Sequence, residues 1–202
     1  MPLARTYQPG RRAVVTTLDD AYRDRLSRPS DIREYLPFLY EQAASRPGCR
    51  VLELGTRKGN STLAFLAAAA AVLGHVWSCD VTSVTLDPEG MAPWARVPQW
   101  TFVRGDDMHP AVRAALPAEV DVLFTDTSHE YGHTLAECRA YVPRVRPGGV
   151  ALFHDTHVMG WPGYDWDRDV SPVWAALDEY CAEARLGWTD MPGKYGLGVI
   201  RL

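Results

Sequence analysis

The chain has 202 residues, of which 47% are hydrophobic and 23% charged, and its formal net charge is −4 at pH 7. These values are typical of one folded domain and exclude a disordered or low-complexity chain. Acids and bases are interspersed without a basic stripe, so nucleic acid is not an expected partner. No membrane partner is expected either, because the longest apolar run, residues 63–73, is too short to span a bilayer.

Residues 1–29 are polar and are treated as an N-terminal extension, whereas residues 30–202 form the predicted domain. The extension has no apolar signal core, which favours a cytoplasmic protein. The four cysteines, which form no CxxC pair and no disulfide or zinc spacing, are expected to be buried free thiols. They are Cys49, Cys79, Cys138 and Cys181.

Short apolar runs alternate with helical patterns along the chain, which indicates repeated β-α units and an α/β fold with a parallel sheet. Six strands are predicted, at residues 50–54, 75–79, 100–103, 120–125, 150–153 and 198–202. Helices are predicted at residues 60–73, 110–116, 131–145 and 173–184, and an earlier helix is expected to run from a cap at Ser30 or Asp31 to Ala44. The sequence Pro147-Gly148-Gly149 predicts a turn before the fifth strand.

The first strand leads through a glycine-containing loop directly into a helix that Asn60 or Ser61 is expected to cap. A glycine turn lets the backbone approach a ligand closely, and the amides at the following helix start suit an anionic or carboxylate group. Several nucleotide-binding folds share such a loop. The spacing Glu-x-Gly-x-x-x-Gly differs from Gly-x-Gly-x-x-Gly and argues against a nicotinamide dinucleotide.

Three acids lie at the ends of successive strands, at the sheet edge where α/β proteins bind ligands. Glu53 would be costly to bury without a partner, and a ligand ammonium is a natural one. Asp80 can accept hydrogen bonds from ribose hydroxyls, and Asp106, after Gly105, can reach an adenine edge. A turn or cap role would explain any one of these acids, but three at successive strand ends favour a ligand site.

The segment Glu53-Leu-Gly-Thr-Arg-Lys-Gly-Asn-Ser61 resembles the cofactor motif of class I S-adenosylmethionine-dependent methyltransferases. Within that class it is similar to the catechol O-methyltransferase branch and its bacterial relatives that methylate sugars and antibiotics. The resemblance extends from about Arg50 to Leu202. It implies a Rossmann-like, doubly wound, mostly parallel seven-stranded sheet with helices on both faces. The residues expected around S-adenosylmethionine are Glu53, Gly55, Thr56, Gly59, Asn60, Ser61, Asp80, Asp106 and Asp126.

The fourth and fifth strands end near acids and histidines. Adjacent strands lie ~4.8 Å apart, so Asp126 and Asp155 can share a hard divalent ion such as magnesium. The bacterial sugar O-methyltransferases that this sequence resembles carry an Asp-x-x-His element, and Asp126-Thr-Ser-His129 matches it. The resemblance implies that Asp126 and Asp155 bind the metal and that His129 is the general base. His154 stands where those relatives usually have a second acid, and its imidazole also suits manganese or zinc.

The predicted activity is methyl transfer from S-adenosylmethionine to a hydroxyl of a small molecule. A metal-independent N- or C-methyltransferase, in which the acids only hold the cofactor and loops, is the first alternative, and an aromatic hydroxyl acceptor is another. A non-catalytic binding protein and a nicotinamide oxidoreductase are less favoured.

The segment of residues 157–169 contains Trp161, Tyr164 and Trp166 among several acids. Aromatic faces stack on sugar rings, which predicts a saccharide or glycosylated natural product as acceptor. A lid or a subunit contact in a homo-oligomer receives nearly equal weight. Among the other histidines, His109 and His133 are assigned as structural or solvated, while His157 is a candidate for substrate contact.

Overall fold

The structure is a computed structural model that describes residues 17–82, 94, 96–159 and 170–202. Its strands are β1 Arg50–Leu54, β2 His75–Asp80, β3 Trp100–Arg104, β4 Val120–Thr125, β5 Val145–His154, β6 Trp188–Met191 and β7 Leu197–Arg201. The α-helices are α1 Leu18–Ser27, α2 Leu36–Ala44, α3 Asn60–Val72, α4 Pro110–Ala115, α5 Tyr131–Tyr141 and α6 Pro172–Ala184. Short 3-10 helices occupy Arg33–Tyr35 and Val142–Arg144.

The seven strands form one sheet in the order β3-β2-β1-β4-β5-β7-β6. The pairs from β3 to β5 are parallel, and β7 runs antiparallel to both β5 and β6. The predicted α/β class and the mostly parallel seven-stranded sheet are therefore confirmed. The strand order reverses between β1 and β4, and a ligand crevice opens at the carboxyl ends of the strands on either side of such a reversal.

Successive side chains of each strand point to opposite faces of the sheet, and a separate hydrophobic core lies on each face. Val51 and Phe124 pack towards α1, α2 and α3, whereas Leu52 and Phe153 pack towards α5 and α6. The buried strands consequently have apolar residues on both faces, as a parallel sheet covered by helices requires. The helices on both faces leave the carboxyl edge of the sheet available for a site.

The bounds of β1 and β4 agree with the prediction, whereas β5 begins five residues earlier than predicted. Val145 pairs with Val120, and Val150 pairs with Val122, so the residues between them form an irregularity within the strand. The predicted turn at Pro147-Gly148-Gly149 is thus a bulge inside β5. Strand β6 was not predicted, because it is short and only partly buried at the sheet edge.

Several helix ends differ from the prediction for local reasons. Helix α2 begins at Leu36 after a 3-10 turn and is not capped by Ser30 or Asp31, since the Asp31 carboxylate instead accepts from Ile32 N and Arg57. Helix α5 ends at Tyr141 because the following 3-10 turn contains Pro143, which has no N–H to donate.

Helix α1 lies inside the segment that was treated as an N-terminal extension, and its Ala21 and Tyr22 are buried in the core against α3. The four cysteines are free and buried, as predicted. Among the residues that the structure describes, none of the helices combines the length and apolar character needed to cross a membrane.

Candidate active site

The glycine loop brings the end of β1 against the end of β4. Gly55 has φ +86°, and a Cβ built on it would lie 2.0 Å from the backbone oxygen of Asp126. The residue at position 55 therefore has to be glycine. Gly59, with φ 73°, forms the N-cap of α3 without a side-chain cap, so the predicted cap at Asn60 or Ser61 is wrong.

Ser61 faces inward and helps to enclose Glu53, which is completely buried. The Glu53 carboxylate accepts hydrogen bonds from the hydroxyls of Ser61 and Thr62 at 2.7 Å each and of Ser78 at 2.6 Å. Burial raises the pKa of Glu53 to about 7 even though these hydroxyls favour the ionised form. Internal hydroxyls thus take the place that a ligand ammonium was expected to fill.

Asp80, at the end of β2, holds the glycine loop in place. Its Oδ2 accepts from the backbone N–H groups of Thr56 and Arg57 at 2.8 Å each, and its Oδ1 accepts from Thr82. Burial favours the protonated form, but the hydrogen bonds outweigh it and lower the pKa of Asp80 below its ordinary value. The carboxylate that was predicted to bind ribose is therefore also the group that orients the loop.

Two adjoining cavities lie at this edge of the sheet. The larger, about 400 Å³, is lined by Gly55, Asp80, Asp106 and Asp126 among others, and the smaller, about 270 Å³, by Thr56, Asn60, Ser61 and Asp126 among others. The larger volume is within the range of sites for small ligands, ~300–1,000 Å³, and the smaller is just below it. Of the predicted cofactor residues, Glu53 and Gly59 line neither cavity, and Asp126 lines both.

Asp126, His129, His154 and Asp155 form a compact group, which we call the acid–histidine cluster. The predicted adjacency of the fourth and fifth strands is confirmed, since β4 and β5 pair in parallel up to Thr125 and Phe153. His129 Nε2 lies 2.9 Å from Asp126 Oδ1 and 3.1 Å from Asp155 Oδ2. His154 Nδ1 lies 3.3 Å from Asp126 Oδ1 and 3.2 Å from Asp155 Oδ1. All four predicted residues therefore meet at one point.

The electrostatics of the cluster follow from burial and pairing. Burial alone would raise the pKa of Asp126, but hydrogen bonds from His129 and His154 hold it well below its ordinary range. Burial opposes the charged form of His154, but the hydrogen bond and charge of Asp126 outweigh it and raise the His154 pKa. For Asp155 burial prevails and raises the pKa.

Three members of the cluster fit a divalent cation. Asp126, His154 and Asp155 each offer one ligand atom, and these atoms lie within 4.8 Å of one another. Among the described residues, the buried His154 Nε2 forms no hydrogen bond, and Asp155 Oδ1 has only the 3.2 Å contact with His154 Nδ1, which lacks hydrogen-bond geometry. The two carboxylates suit magnesium or manganese, and the imidazole extends the range to softer ions such as zinc.

Two tyrosines that the sequence interpretation missed surround His154. The ring of Tyr35 stands edge-on to His154 with 5.7 Å between centroids, and Tyr195 lies 6.1 Å away. Gly196 N donates to the Tyr35 hydroxyl at 2.9 Å, which ties the start of α2 to the segment before β7. Neither tyrosine belongs to a recognisable motif, so only the fold brings them to the site.

Two further candidate histidines have internal partners. His109 Nδ1 accepts from Ala111 N and caps α4, in agreement with a structural role. His157 Nε2 lies 2.7 Å from Asp190 Oδ2, so the predicted substrate contact has an internal partner. The aromatic residues proposed for the acceptor lie outside the described residues; they are Trp161, Tyr164 and Trp166.

Comparison with known proteins identifies the family of the domain. Residues 52–156 match a family described as "Methyltransferase domain". Demethylmacrocin O-methyltransferase of Streptomyces fradiae is 35% identical over 72 residues, which are 34% of this chain and only 18% of that protein.

Solved methyltransferase structures share the fold. An O-methyltransferase of Bacillus cereus in complex with SAH matches with a TM-score of 0.67 at 16% identity, covering 94% of both chains. The SAH-bound methyltransferase of Podospora anserina gives 0.64 at 16% identity, covering 91% of this chain and 86% of that one. The TDP-rhamnose 3′-O-methyltransferase of calicheamicin biosynthesis gives 0.60 at 20% identity, covering 83% of this chain and 77% of that one.

These structural likenesses, all below 25% identity, establish the fold, and the sequence match carries the assignment further. It begins in β1, includes the glycine loop and Asp80, and ends just after the acid–histidine cluster. Because it covers more than half of the 202 residues, the chain belongs to the methyltransferase domain family.

Proposed function

We propose that this protein transfers a methyl group from S-adenosylmethionine to a hydroxyl oxygen of a small molecule, with His129 as general base and a divalent ion at Asp126, His154 and Asp155. One observation carries the proposal. Asp126 lines both cavities at the sheet edge and lies 2.9 Å from His129, so the proposed proton acceptor lies directly behind a residue that both cavities share.

The cofactor would extend along both cavities. Asp80 and Asp106 line the larger one, where we place the ribose and adenine, and Asn60 and Ser61 line the smaller one, where we place the methionine end. S-adenosylmethionine supplies a methyl group on a sulfonium that is already strongly electrophilic. The main work of the protein is then to align the acceptor oxygen and remove its proton.

His129 is the residue to which we assign proton removal. Asp126 and Asp155 lie on either side of its Nε2 and fix the orientation of the ring. Its side chain is only 12% exposed, so bulk water has limited access to it. A positioned imidazole within hydrogen-bond reach of a hydroxyl contributes about 10²- to 10⁴-fold to the rate of such a reaction.

We assign the divalent ion to Asp126, His154 and Asp155 because each offers a ligand atom within 4.8 Å of the others. In addition, His154 Nε2 and Asp155 Oδ1 form no hydrogen bond with the described residues. A bound ion would supply positive charge that favours loss of the acceptor proton and fixes the acceptor oxygen. The two carboxylates also repel each other less when a cation lies between them.

For the acceptor we propose a saccharide or a glycosylated natural product. Trp161, Tyr164 and Trp166, with the acids around them, supply aromatic faces and hydrogen-bond acceptors in the sequence that follows Asp155. The TDP-rhamnose 3′-O-methyltransferase acts on a sugar, and its similarity to this chain supports the proposal at the level of fold.

The proposal is tested by incubating the purified protein with S-adenosylmethionine, magnesium and a panel of acceptors, and following the gain of one methyl group by mass spectrometry. The panel includes nucleotide sugars, glycosides, catechols and amines. Methylation of a sugar hydroxyl supports the full proposal. Methylation of catechols alone would replace the saccharide by an aromatic acceptor, and transfer to nitrogen would contradict O-methylation.

A further inference from the structure

Beside the adenine end of the larger cavity lies a second group of chemically active side chains, Asp107, His133 and Glu137, which we call the α5 triad. Asp107 follows β3, and His133 and Glu137 lie one turn apart on the same face of α5. His133 Nε2 lies 3.1 Å from Asp107 Oδ1 and 3.4 Å from Glu137 Oε1. The triad shares no residue with the acid–histidine cluster.

The triad contains more buried acceptor atoms than its internal partners satisfy. Glu137 is 0% exposed and Asp107 is 7% exposed. Among the described residues, Glu137 Oε2 and Asp107 Oδ2 accept no hydrogen bond as ionised carboxylates, although the two carboxyl groups lie close enough to share a proton. The Nε2 of one imidazole carries a single N–H and cannot saturate two carboxylates, and an unsatisfied buried carboxylate oxygen is costly. The two acids therefore need either a shared proton or a cation in addition to His133.

Surrounding groups hold the triad in position. The Thr127 hydroxyl donates to Glu137 Oε1 at 2.8 Å, and the Tyr141 hydroxyl donates to the backbone oxygen of Asp107. One ligand atom from each of Asp107, His133 and Glu137 lies within 4.8 Å of the others. Hydrogen bonds that orient ligands in this way are a regular feature of metal sites.

We propose that Asp107, His133 and Glu137 bind a first-row divalent transition ion, with zinc as the test ion. Two carboxylates and one imidazole form the mixed oxygen and nitrogen donor set that such ions prefer. Asp107 and His133 line the larger cavity, which gives the ion a route of entry. The ion replaces the proton that His133 shares with Asp107 and Glu137. It links the segment after β3 to α5.

The experiment is a zinc titration of the chelator-treated, dialysed full-length protein by isothermal calorimetry. The variants are His133→Gln and Asp107→Asn, with His109→Gln as the matched control, because His109 is exposed and lies outside both clusters. Each variant is first melted without metal to show that it is folded. The wild type and H109Q are expected to bind one zinc equivalent more than H133Q and D107N.

Thr127→Val adds a graded test. It removes the hydroxyl that donates to Glu137 while leaving all three ligands, so zinc affinity at this site is expected to fall about 10- to 100-fold with the stoichiometry unchanged. Asp126→Asn is expected to retain the zinc equivalent of the α5 triad. The same zinc stoichiometry in the wild type, H133Q and D107N would overturn the proposal, and so would a wild type that binds none; the triad would then be an ion-paired network.

Discussion

His129 and Asp155 both have left-handed backbone conformations, with φ of 58° and 66°, and their side chains meet at 3.1 Å between Nε2 and Oδ2. A non-glycine residue with positive φ is strained by about 1–3 kcal/mol, and such residues persist where the surrounding structure holds them. Here the two residues follow β4 and β5 respectively, and His129 also contacts Asp126 at 2.9 Å. This pairing underlies the first two predictions.

Replacing His129 with Ala is expected to lower turnover about 10²- to 10⁴-fold because the proposed proton acceptor is lost. Cofactor affinity should change little, since His129 lines neither cavity. Steady-state kinetics and calorimetric binding of S-adenosylmethionine measure the two effects. His109→Ala, which removes an exposed cap of α4, is the control. A normal rate for H129A at neutral pH would move the base role to another group.

Removal of divalent ions with a chelator is expected to abolish turnover, and magnesium or manganese should restore it. Asp155→Asn should require a higher magnesium concentration for half-maximal activity than the wild type, because one proposed ligand loses its charge. Turnover as a function of added metal checks both statements. Full activity after exhaustive chelation would show that the acid–histidine cluster acts without metal.

Asp80→Ala is expected to weaken S-adenosylmethionine binding by about 1.5–3 kcal/mol, the typical contribution of hydrogen bonds to a charged group. The loss has two sources, the proposed ribose contact and the release of the amides of Thr56 and Arg57. Calorimetry measures the affinity, and Asp19→Ala on α1 is a control at an exposed acid. An unchanged affinity in D80A would contradict the placement of the ribose.

Glu53→Gln is expected to change the pH dependence of stability. Burial raises the pKa of Glu53 from its ordinary value of 4.5 to about 7, so between these pH values the folded state keeps a proton that the unfolded state has lost. The free energy of unfolding contributed by Glu53 therefore falls as the pH rises from 4.5 to 7 and is constant above that.

The neutral amide of E53Q does not ionise, so its stability does not fall over this pH range as that of the wild type does. The melting temperature of E53Q relative to the wild type should therefore rise from pH 5 to pH 8. The full change corresponds to on the order of 3 kcal/mol. Thermal melts across this pH range provide the measurement, and Glu137, whose pKa is also about 7, cancels in the difference. A difference that does not vary with pH would mean that Glu53 titrates normally.

Single replacement of Trp161 or Trp166 by Ala is expected to raise the Michaelis constant for a sugar acceptor, because a stacking face is removed. Thermal stability should stay close to that of the wild type. Acceptor kinetics and melting curves are compared for each variant. Reduced stability with an unchanged acceptor constant would instead assign these residues to a lid or a subunit contact.

The sequence predicts the elements whose residues carry a strong local pattern. The buried apolar runs of β1 and β4 have the predicted bounds, and Asp126, His129, His154 and Asp155 converge because they lie at or just after the ends of neighbouring strands. The course of β5 was less predictable, since Pro147-Gly148-Gly149 favours a turn locally but pairing with β4 continues across it. Tertiary pairing here outweighs local preference.

Contacts between distant segments could not be predicted from local patterns. Glu53 was expected to pair with a ligand. Its actual partners, the hydroxyls of Ser61, Thr62 and Ser78, lie on α3 and β2 and were not recognised from the sequence. Tyr35 reaches His154 only because α2 packs beside the carboxyl ends of the strands. Such side chains acquire their surroundings from the fold, and a single sequence carries no spacing rule that would pair them.

The close approach of Gly55 to Asp126 has a mechanical consequence. Because the backbone oxygen of Asp126 occupies the space where a side chain at position 55 would lie, the glycine loop cannot shift towards β4 without displacing Asp126. The same residue also presents its carboxylate to His129 and His154. A displacement of the glycine loop towards β4 would therefore move the backbone of the residue whose carboxylate contacts both imidazoles.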